Sequence, residues 1–417
     1  MHRWFWVAAL LVISTPLSCT VGPGSDTRLK VEKDTLPNGV IRVHYSGLPA
    51  DRIVTAEPDL RLGVVEGDPN FVFGEIRGVD AGADGTIYVL DGLASEIRAF
   101  DSAGHFLRTI GSRGEGPGEI TEASGMVLAG DTILWVQDHA KWTMVGLSPE
   151  GGEMARTPMP VLAYGYTWDG AVDDAGRIWK PAYHSDREGA EVRKDGLDES
   201  TGRIYMKSVD PSDQSVDSVY LGDYSARQYL SGSGNGWWHI YFPYDPQPVT
   251  AVDPRGGFWQ VYTADYQVAR LDQAGDTTLV LEVDSDPIPL TAADRAEFIE
   301  RVGDMGPESR RVAQEVAGLM LDTKPLIQKL IPDDQGRLWV ERTVEEGAHP
   351  VYDIFDTRGD YQGSVELTFN PSPFLPIRIR HGHIYAVALD ELDVPSVVRA
   401  RVPGEIGPRA ENSPSSR

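Results

Sequence analysis

Asp138 and His139, with Asp169 further along, are the residue types that acid–base hydrolysis or elimination requires: an imidazole that titrates near neutrality beside carboxylates able to orient it. They come without a context that fixes a reaction. The chain has no Gly-x-Ser-x-Gly elbow, no His-Glu-x-x-His pair, no Cys-x-x-Cys and no phosphate loop ending in Gly-Lys-Ser/Thr. Asp91 and Asp138 also stand where a short carboxylate commonly hydrogen-bonds its own turn. The set Asp138, His139 and Asp169 is therefore the alternative reading, a metal-independent hydrolase or lyase. His381-Gly382-His383 has an alternating spacing that some metal sites use, but it falls at a tight turn, where two solvent-facing histidines are the plainer reading. In the run from Gly111 to Gly118, Glu115 repels anions, as does Glu119 beyond it, and no helix follows to receive a phosphate.

A second concentration is aromatic. Tyr164, Tyr166, Trp168, Trp237, Trp238, His239, Tyr241 and Tyr244 fall in stretches that read as loops, which are normally polar. Such rings stack on sugars or pack on apolar side chains. Arg77 and Lys329 would add positive charge at the same opening. The expected ligand-binding set is Arg77, Trp168, Trp237, Trp238, His239, Tyr241 and Lys329, with no catalytic residue, metal or cofactor in the leading reading.

What must position these residues is a repeat. Blocks of the form Asp-Gly-x-Ile-aromatic, each a turn between two strands, put aromatic anchors at Tyr88, Trp135, Trp179, Trp259, Trp339 and Tyr385, at intervals of 47, 44, 80, 80 and 46 residues. The interval before Trp339 contains Thr291 to Leu321, where Phe298, Val302, Val312, Val316, Leu319 and Met320 recur with helical period, so a helical insertion accounts for its excess. In the interval before Trp259, Gly202 to Tyr205 lies too close to Trp179 to begin a new unit and reads as the third strand of the same one. Asp223 to Pro246 then becomes a long loop.

Gly85 to Asp91, Ile97 to Phe100 and Gly104 to Leu107, with the exit Gly111 to Glu119, resemble an NHL repeat. The chain as a whole resembles the six-bladed propeller lipoproteins of bacteria, a family mostly of unassigned function. The resemblance implies an all-β, six-bladed β-propeller with four-stranded antiparallel blades and one helical insertion. An N-terminal strand, Leu60 to Val65, should complete the last blade, which is one strand short. Enzymes with this fold ligate metal where the inner strands meet the tunnel. Eleven residues before the anchors stand Arg77, Ser124, Trp168, Pro248, Gln328 and Phe374, and one residue on stand Gly78, Gly125, Asp169, Val249, Lys329 and Leu375. One carboxylate and no imidazole across both rings make a poor ligand set for calcium or zinc.

The N-terminus reads as an export signal. His2 and Arg3 precede the apolar run Trp4 to Ile13, about ten residues where a bilayer span needs roughly twenty. Cys19, the only cysteine, follows Leu17-Ser18 in a pattern that resembles a lipobox, although Pro16 replaces its usual aliphatic residue. The expected organisation is a signal peptide over 1–18, an anchored N-terminal segment over 19–57 with Cys19 lipidated, the propeller over 58–402 with its insertion near 291–322, and a tail over 403–417. The protein is then anchored in the cell envelope, in the outer membrane because no Asp follows Cys19; the alternative is a soluble periplasmic or secreted protein. A formal net charge of −25 has the wrong sign for nucleic acid or anionic headgroups, which leaves the lipid as the only membrane contact. A monomeric binding or scaffold module that holds a protein, peptide or glycan on its loop face is the leading functional expectation.

Overall fold

A recurring hairpin of this chain is built by one short carboxylate and one glycine. In Asp173-Asp174-Ala175-Gly176-Arg177 the first carboxylate accepts the N–H groups of Ala175 and Arg177, each at 3.0 Å, and Gly176 takes the positive φ that closes the turn. Asp333 repeats this with Gln335 and Arg337. Both carboxylates also hold the aromatic anchor six residues on, accepting the indole N–H of Trp179 at 2.9 Å and of Trp339 at 3.0 Å. Asp253 turns instead to Arg270 at 2.9 Å, and the Trp259 indole N–H has no partner. On the outer hairpins Asp101, Asp272 and Asp356 make the same turn.

The computed structural model describes residues 29–159, 170–185, 195–233, 236–304, 306–390 and 394–404. Six sheets radiate as the blades of a β-propeller. Blades 1 and 2 are four-stranded antiparallel meanders over residues 76–110 and 123–158. Blade 3 starts with the short strand Ala171–Val172 and has five strands. Blades 4 and 5 contribute four strands each, over residues 248–283 and 327–367. Blade 6 has Arg378–Arg380, His383–Leu389 and Pro395–Arg401. All six aromatic anchors are core residues, none more than 4% exposed.

The chain ahead of blade 1 is ordered around the rim. Strands β1 (Val31–Thr35) and β2 (Ile41–Tyr45) form a hairpin, and β2 adds in parallel to the outer strand of blade 4. Strand β3 (Ile53–Ala56) adds in parallel to the outer strand of blade 5. Strand β4 (Pro58–Leu62) pairs antiparallel with Pro395–Arg401 and supplies the fourth strand of blade 6. The sequence places this last strand at Leu60 to Val65; it begins and ends earlier, and the segment read as a tether to about Thr35 already pairs from Val31. Local sequence hides this because β1, Val-Glu-Lys-Asp-Thr, is exposed throughout and shows no buried face.

Asp223 to Pro246 is the other difference. Its residues 223–233 and 236–241 are strand rather than loop: Gly196–Val209 and Val216–Ser233 run on past the body of blade 3, and Gly236–Tyr241 pairs back along the second of them. Alternation of side chains along such an arm does not register as a propeller unit, so its aromatics read as loop residues. Helices α1 (Ala292–Gly303) and α2 (Pro307–Leu319) occupy the expected insertion, α1 behind a capping box of Thr291 and Asp294. Phe298, Val312 and Val316 pack on Tyr229 and Phe242 of the arm and its exit.

The rim strands are fastened by buried contacts. The Tyr45 hydroxyl donates to Gly359 O and accepts from Tyr361 N–H, both at 2.8 Å, and so ties β2 to the neighbouring blade 5. Gly359 has φ +76°, and a Cβ there would stand 3.2 Å from Val43. Removing one fully buried hydroxyl leaves the Gly359 acceptor and the Tyr361 donor unmet, so Tyr45→Phe should lower unfolding free energy by about 1–3 kcal/mol, read as a reduced urea midpoint at unchanged slope. An unchanged midpoint would show that the rim strands add nothing to stability.

Candidate functional site

Register decides what faces the centre of the ring. Across from the anchors Tyr88, Trp135, Trp179, Trp259, Trp339 and Tyr385, the innermost strands place Asp80, Val127, Ala171, Ala251, Ile331 and Arg378. The two charged members belong to adjoining blades. Asp80 is fully buried and accepts the N–H of Ala81 at 2.9 Å and of Leu128 at 2.8 Å. Arg380 Nε lies 3.2 Å from one of its oxygens and Arg378 Nε 3.8 Å from the other. Both guanidiniums also reach blade 2, Arg378 Nη2 donating to Met126 O at 3.3 Å and Arg380 Nη2 to Leu128 O at 3.0 Å. Burial pulls Arg378 below the usual arginine range, and Asp80 works against that pull.

These arginines belong to the wall of a central cavity of about 1520 Å³, lined by residues of blades 2 to 6. It exceeds the roughly 300–1,000 Å³ of ordinary small-molecule pockets. Tyr241, at the end of the returning strand of the blade 3 arm, and Phe374, on the connection into blade 6, line it while remaining 70% and 81% exposed. Lys329 lines it from blade 5, with Nζ 3.9 Å from Glu341; burial raises the Glu341 carboxyl and Lys329 partly offsets this. The arm of blade 3 is locked over one side. Arg227 donates to both oxygens of Asp245 at 3.1 Å and to Leu319 O at the end of α2 at 2.7 Å, and lies over the Phe242 ring. Desolvation raises the Asp245 carboxyl in spite of Arg227.

Of the ligand-binding set expected from sequence, Lys329 and Tyr241 meet in this cavity. Arg77 does not; it lines a smaller cleft of about 510 Å³ between blades 1 and 2 and pairs with Glu75 at 2.6 Å. His239 lies on the arm, bonded to Gln228 at 2.9 Å. Trp237 and Trp238 lie on the same strand, paired with Gly232 and Ser231. Trp168 and Asp169 fall outside the described residues, as do Tyr164, Tyr166 and Cys19.

One carboxylate of the acid–base set is committed. Asp138 accepts the N–H of Thr121 at 2.9 Å and of Glu122 at 3.1 Å, one on each oxygen, and so fixes the connection from blade 1 to blade 2. Asp91 does the same for Gly74 and Glu75 ahead of blade 1 and also pairs with Arg98. The His139 ring packs against Trp142 with centroids 5.1 Å apart. His381 and Gly382 form a two-residue turn with φ of +50° and +74°. Among the described residues no three His, Cys, Asp or Glu side chains form a metal-binding group.

Sequence counting missed Arg378 and Arg380 because eleven residues is too long a step: the residue opposite the anchor lies eight back in blades 1 to 5 and seven back in blade 6. The innermost strand of blade 6 is only Arg378–Arg380, so counting eleven back from Tyr385 leaves it and lands on Phe374 and Leu375. Arg378-Ile379-Arg380 alternates around a buried centre, the one local sign that both guanidiniums share a face.

Residues 66–145 match the model of a family described as a 6-bladed beta-propeller. Among solved structures the chain is similar to a member of the duf4221 family from Bacteroides vulgatus, with 9% identity and TM-score 0.49 over 84% of this chain and 98% of that one. It is also similar to virginiamycin B lyase from Staphylococcus aureus, with 11% identity and TM-score 0.38 over 82% and 99%. The calcium-binding protein regucalcin from Agrobacterium tumefaciens gives 13% identity and TM-score 0.37 over 84% and 98%. No curated protein matches the chain.

Because both Asp138 oxygens face backbone donors, Asp138→Asn sets an amide N–H against one of them. It should cost about 1–3 kcal/mol in chemical denaturation. An unchanged stability would free Asp138 for a catalytic role.

Proposed function

We propose that this protein is an exported, envelope-anchored binding module that holds a protein, peptide or glycan segment in the central cavity, entered from the face that carries the connections between blades. The observation that carries the reading is the cavity itself: about 1520 Å³, walled by five of six blades, with Tyr241 and Phe374 exposed on its lining. Large solvent-exposed rings on a concave surface are what an amphipathic ligand covers. The engagement of Asp138 by backbone donors favours binding over hydrolysis or elimination at that position.

Anchoring rests on the sequence of residues 2–19. A lipid on Cys19 would leave the segment up to Val31 as the leash, and the rim position of β1 brings that leash to the outer edge of blade 4.

Two measurements test these statements. Thr250 lines the cavity from the innermost strand of blade 4, so Thr250→Trp should narrow it with an indole ring where a ligand would lie. Mass spectrometry of molecules retained from envelope extract should find them on the wild-type protein and at least about tenfold depleted on Thr250→Trp and on a Tyr241→Ala, Phe374→Ala double variant. Equal retention by all three would place binding elsewhere. Cys19→Ser should move the folded protein from the membrane to the soluble fraction, because one thiol carries the whole anchor; continued sedimentation with membranes would remove the anchoring reading.

A further inference from the structure

The wall of the cavity pairs most of its charges with one another. Six aspartates line it beside Arg227, Lys329, Arg378 and Arg380. Asp173 is met by Arg177 at 2.8 Å, Asp333 by Arg337 at 2.7 Å and Asp245 by Arg227 at 3.1 Å. Lys329 has Glu341 at 3.9 Å, while Arg378 and Arg380 share Asp80. Asp334 accepts the His381 N–H at 2.7 Å, and Asp210 accepts the Ser212 N–H at 2.9 Å and its hydroxyl at 2.6 Å. The remainder is of both signs: one arginine in excess at Asp80, and the carboxylates of Asp174, Asp210 and Asp334 without an arginine or lysine partner among the described residues. Such a wall offers hydrogen-bond donors and acceptors side by side and no run of a single charge. It suits a neutral ligand that carries many polar groups.

Rings lie exposed on the same wall. Besides Phe374 and Tyr241, Tyr183 is 46% exposed, and it meets Tyr224 edge-on with centroids 5.8 Å apart. Ser225 and Gln247 add a hydroxyl and an amide from exposed positions of the lining. Apolar faces with hydroxyl-reading groups beside them are the two halves of sugar recognition. The C–H face of a pyranose covers a ring, while its hydroxyls donate to carboxylates and accept from guanidinium and ammonium groups.

We propose that the cavity holds a neutral, linear oligosaccharide stacked on Tyr241 and Phe374. The inference rests on the cavity being the binding site and narrows its ligand to one class. A peptide is the poorer fit, because extended peptides gain affinity by adding a strand to an open sheet edge. Facing the tunnel, that edge is short, occupied or lacking an N–H in each of the five lining blades. In blade 2 the carbonyls of Met126 and Leu128 are taken by Arg378 and Arg380, and the Leu128 N–H by Asp80. The innermost strands of blades 3 and 6 are two and three residues long. Those of blades 4 and 5 contain Pro248 and Pro332, which have no N–H to give. A saccharide needs no ladder, only rings and side-chain donors and acceptors, and these the wall has.

The probes are three neutral saccharides, cellopentaose, maltopentaose and penta-N-acetylchitopentaose, each titrated by calorimetry into the full-length protein. They are set against trigalacturonate, the deacetylated chitosan pentamer and acetyl-Phe-Ala-Ala-Ala-amide. At least one neutral saccharide should bind, at least about tenfold tighter than the acidic, basic and peptide probes. Its affinity should change by less than about twofold between about 50 and 500 mM salt, since no net charge is there to be screened. The Tyr241→Ala, Phe374→Ala double variant should weaken it at least about tenfold, the combined effect of two stacking contacts. Both side chains are exposed, so that variant should keep the melting temperature of the wild type. Tighter binding of trigalacturonate or of the chitosan pentamer, or a steep dependence on salt, would overturn the neutral assignment. Tighter binding of the peptide would overturn the saccharide, as would binding of none of the three; retention of molecules from envelope extract by the wild type and not by Thr250→Trp would then leave the cavity reading standing. Saccharide binding undiminished in both the double variant and Thr250→Trp would put the sugar outside the cavity and overturn the proposal.

Discussion

Strands at the rim of a blade carry N–H and C=O groups that must be paired, covered or left as templates for another chain. In this ring the segment from Val31 to Leu62 meets that need for three of the six blades. The chain lays β1 and β2 on blade 4, β3 on blade 5 and β4 on blade 6 before it begins blade 1, so the outer edges of three successive blades are covered by one continuous segment. The pairing also brings chain ends far apart in sequence into one sheet. Leu62 packs in the same cluster as Val79, Ile87, Tyr385 and Val397, and the seam between first and last blades is therefore built from both ends of the chain. The cavity depends on that seam, because Asp80 and Arg378 face each other across it.

Much of the ring was legible because its repeat is carried by residues with one structural job. A buried ring in the second strand, an Asp-x-x-Gly turn beside it and a short apolar strand on each side mark a blade wherever they occur. The six anchors, the helical insertion and the assignment of Gly202 to Tyr205 to the strand beside Trp179 all follow from that pattern. What did not follow has a common cause: the partner is distant in sequence. Nothing in Val-Glu-Lys-Asp-Thr says that its hairpin mate will pair with residues near 280, and nothing in Asp223 to Pro246 says that its aromatics lie on an arm closed by helices some sixty residues later.

The site was legible in kind and misplaced in register. Positive charge on the tunnel wall was expected from Arg77 and Lys329; Lys329 is there, while Arg77 serves a neighbouring cleft, and the wall's other cations come from Arg378 and Arg380. A count of eleven from the anchor passes the paired position in every blade, which lies eight back in five of them and seven back in blade 6, and there it leaves the short strand altogether; hydrogen-bond register, which pairs Arg378 with Tyr385, gives the position directly.

The distribution of charge follows from the same division between turns and wall. Carboxylates are abundant here because they build hairpins and connections: Asp91, Asp138, Asp173 and Asp333 each accept two or more N–H groups, and Arg177 and Arg337 serve as partners for the last two. Such acids contribute to net charge without presenting free lone pairs to a ligand. Asp80 differs, since it lies in the ring of residues opposite the anchors and is the one carboxylate that two cavity arginines share. The wall of the cavity is itself mixed, six aspartates lining it beside Arg227, Lys329, Arg378 and Arg380, and burial strengthens each of these interactions relative to bulk water.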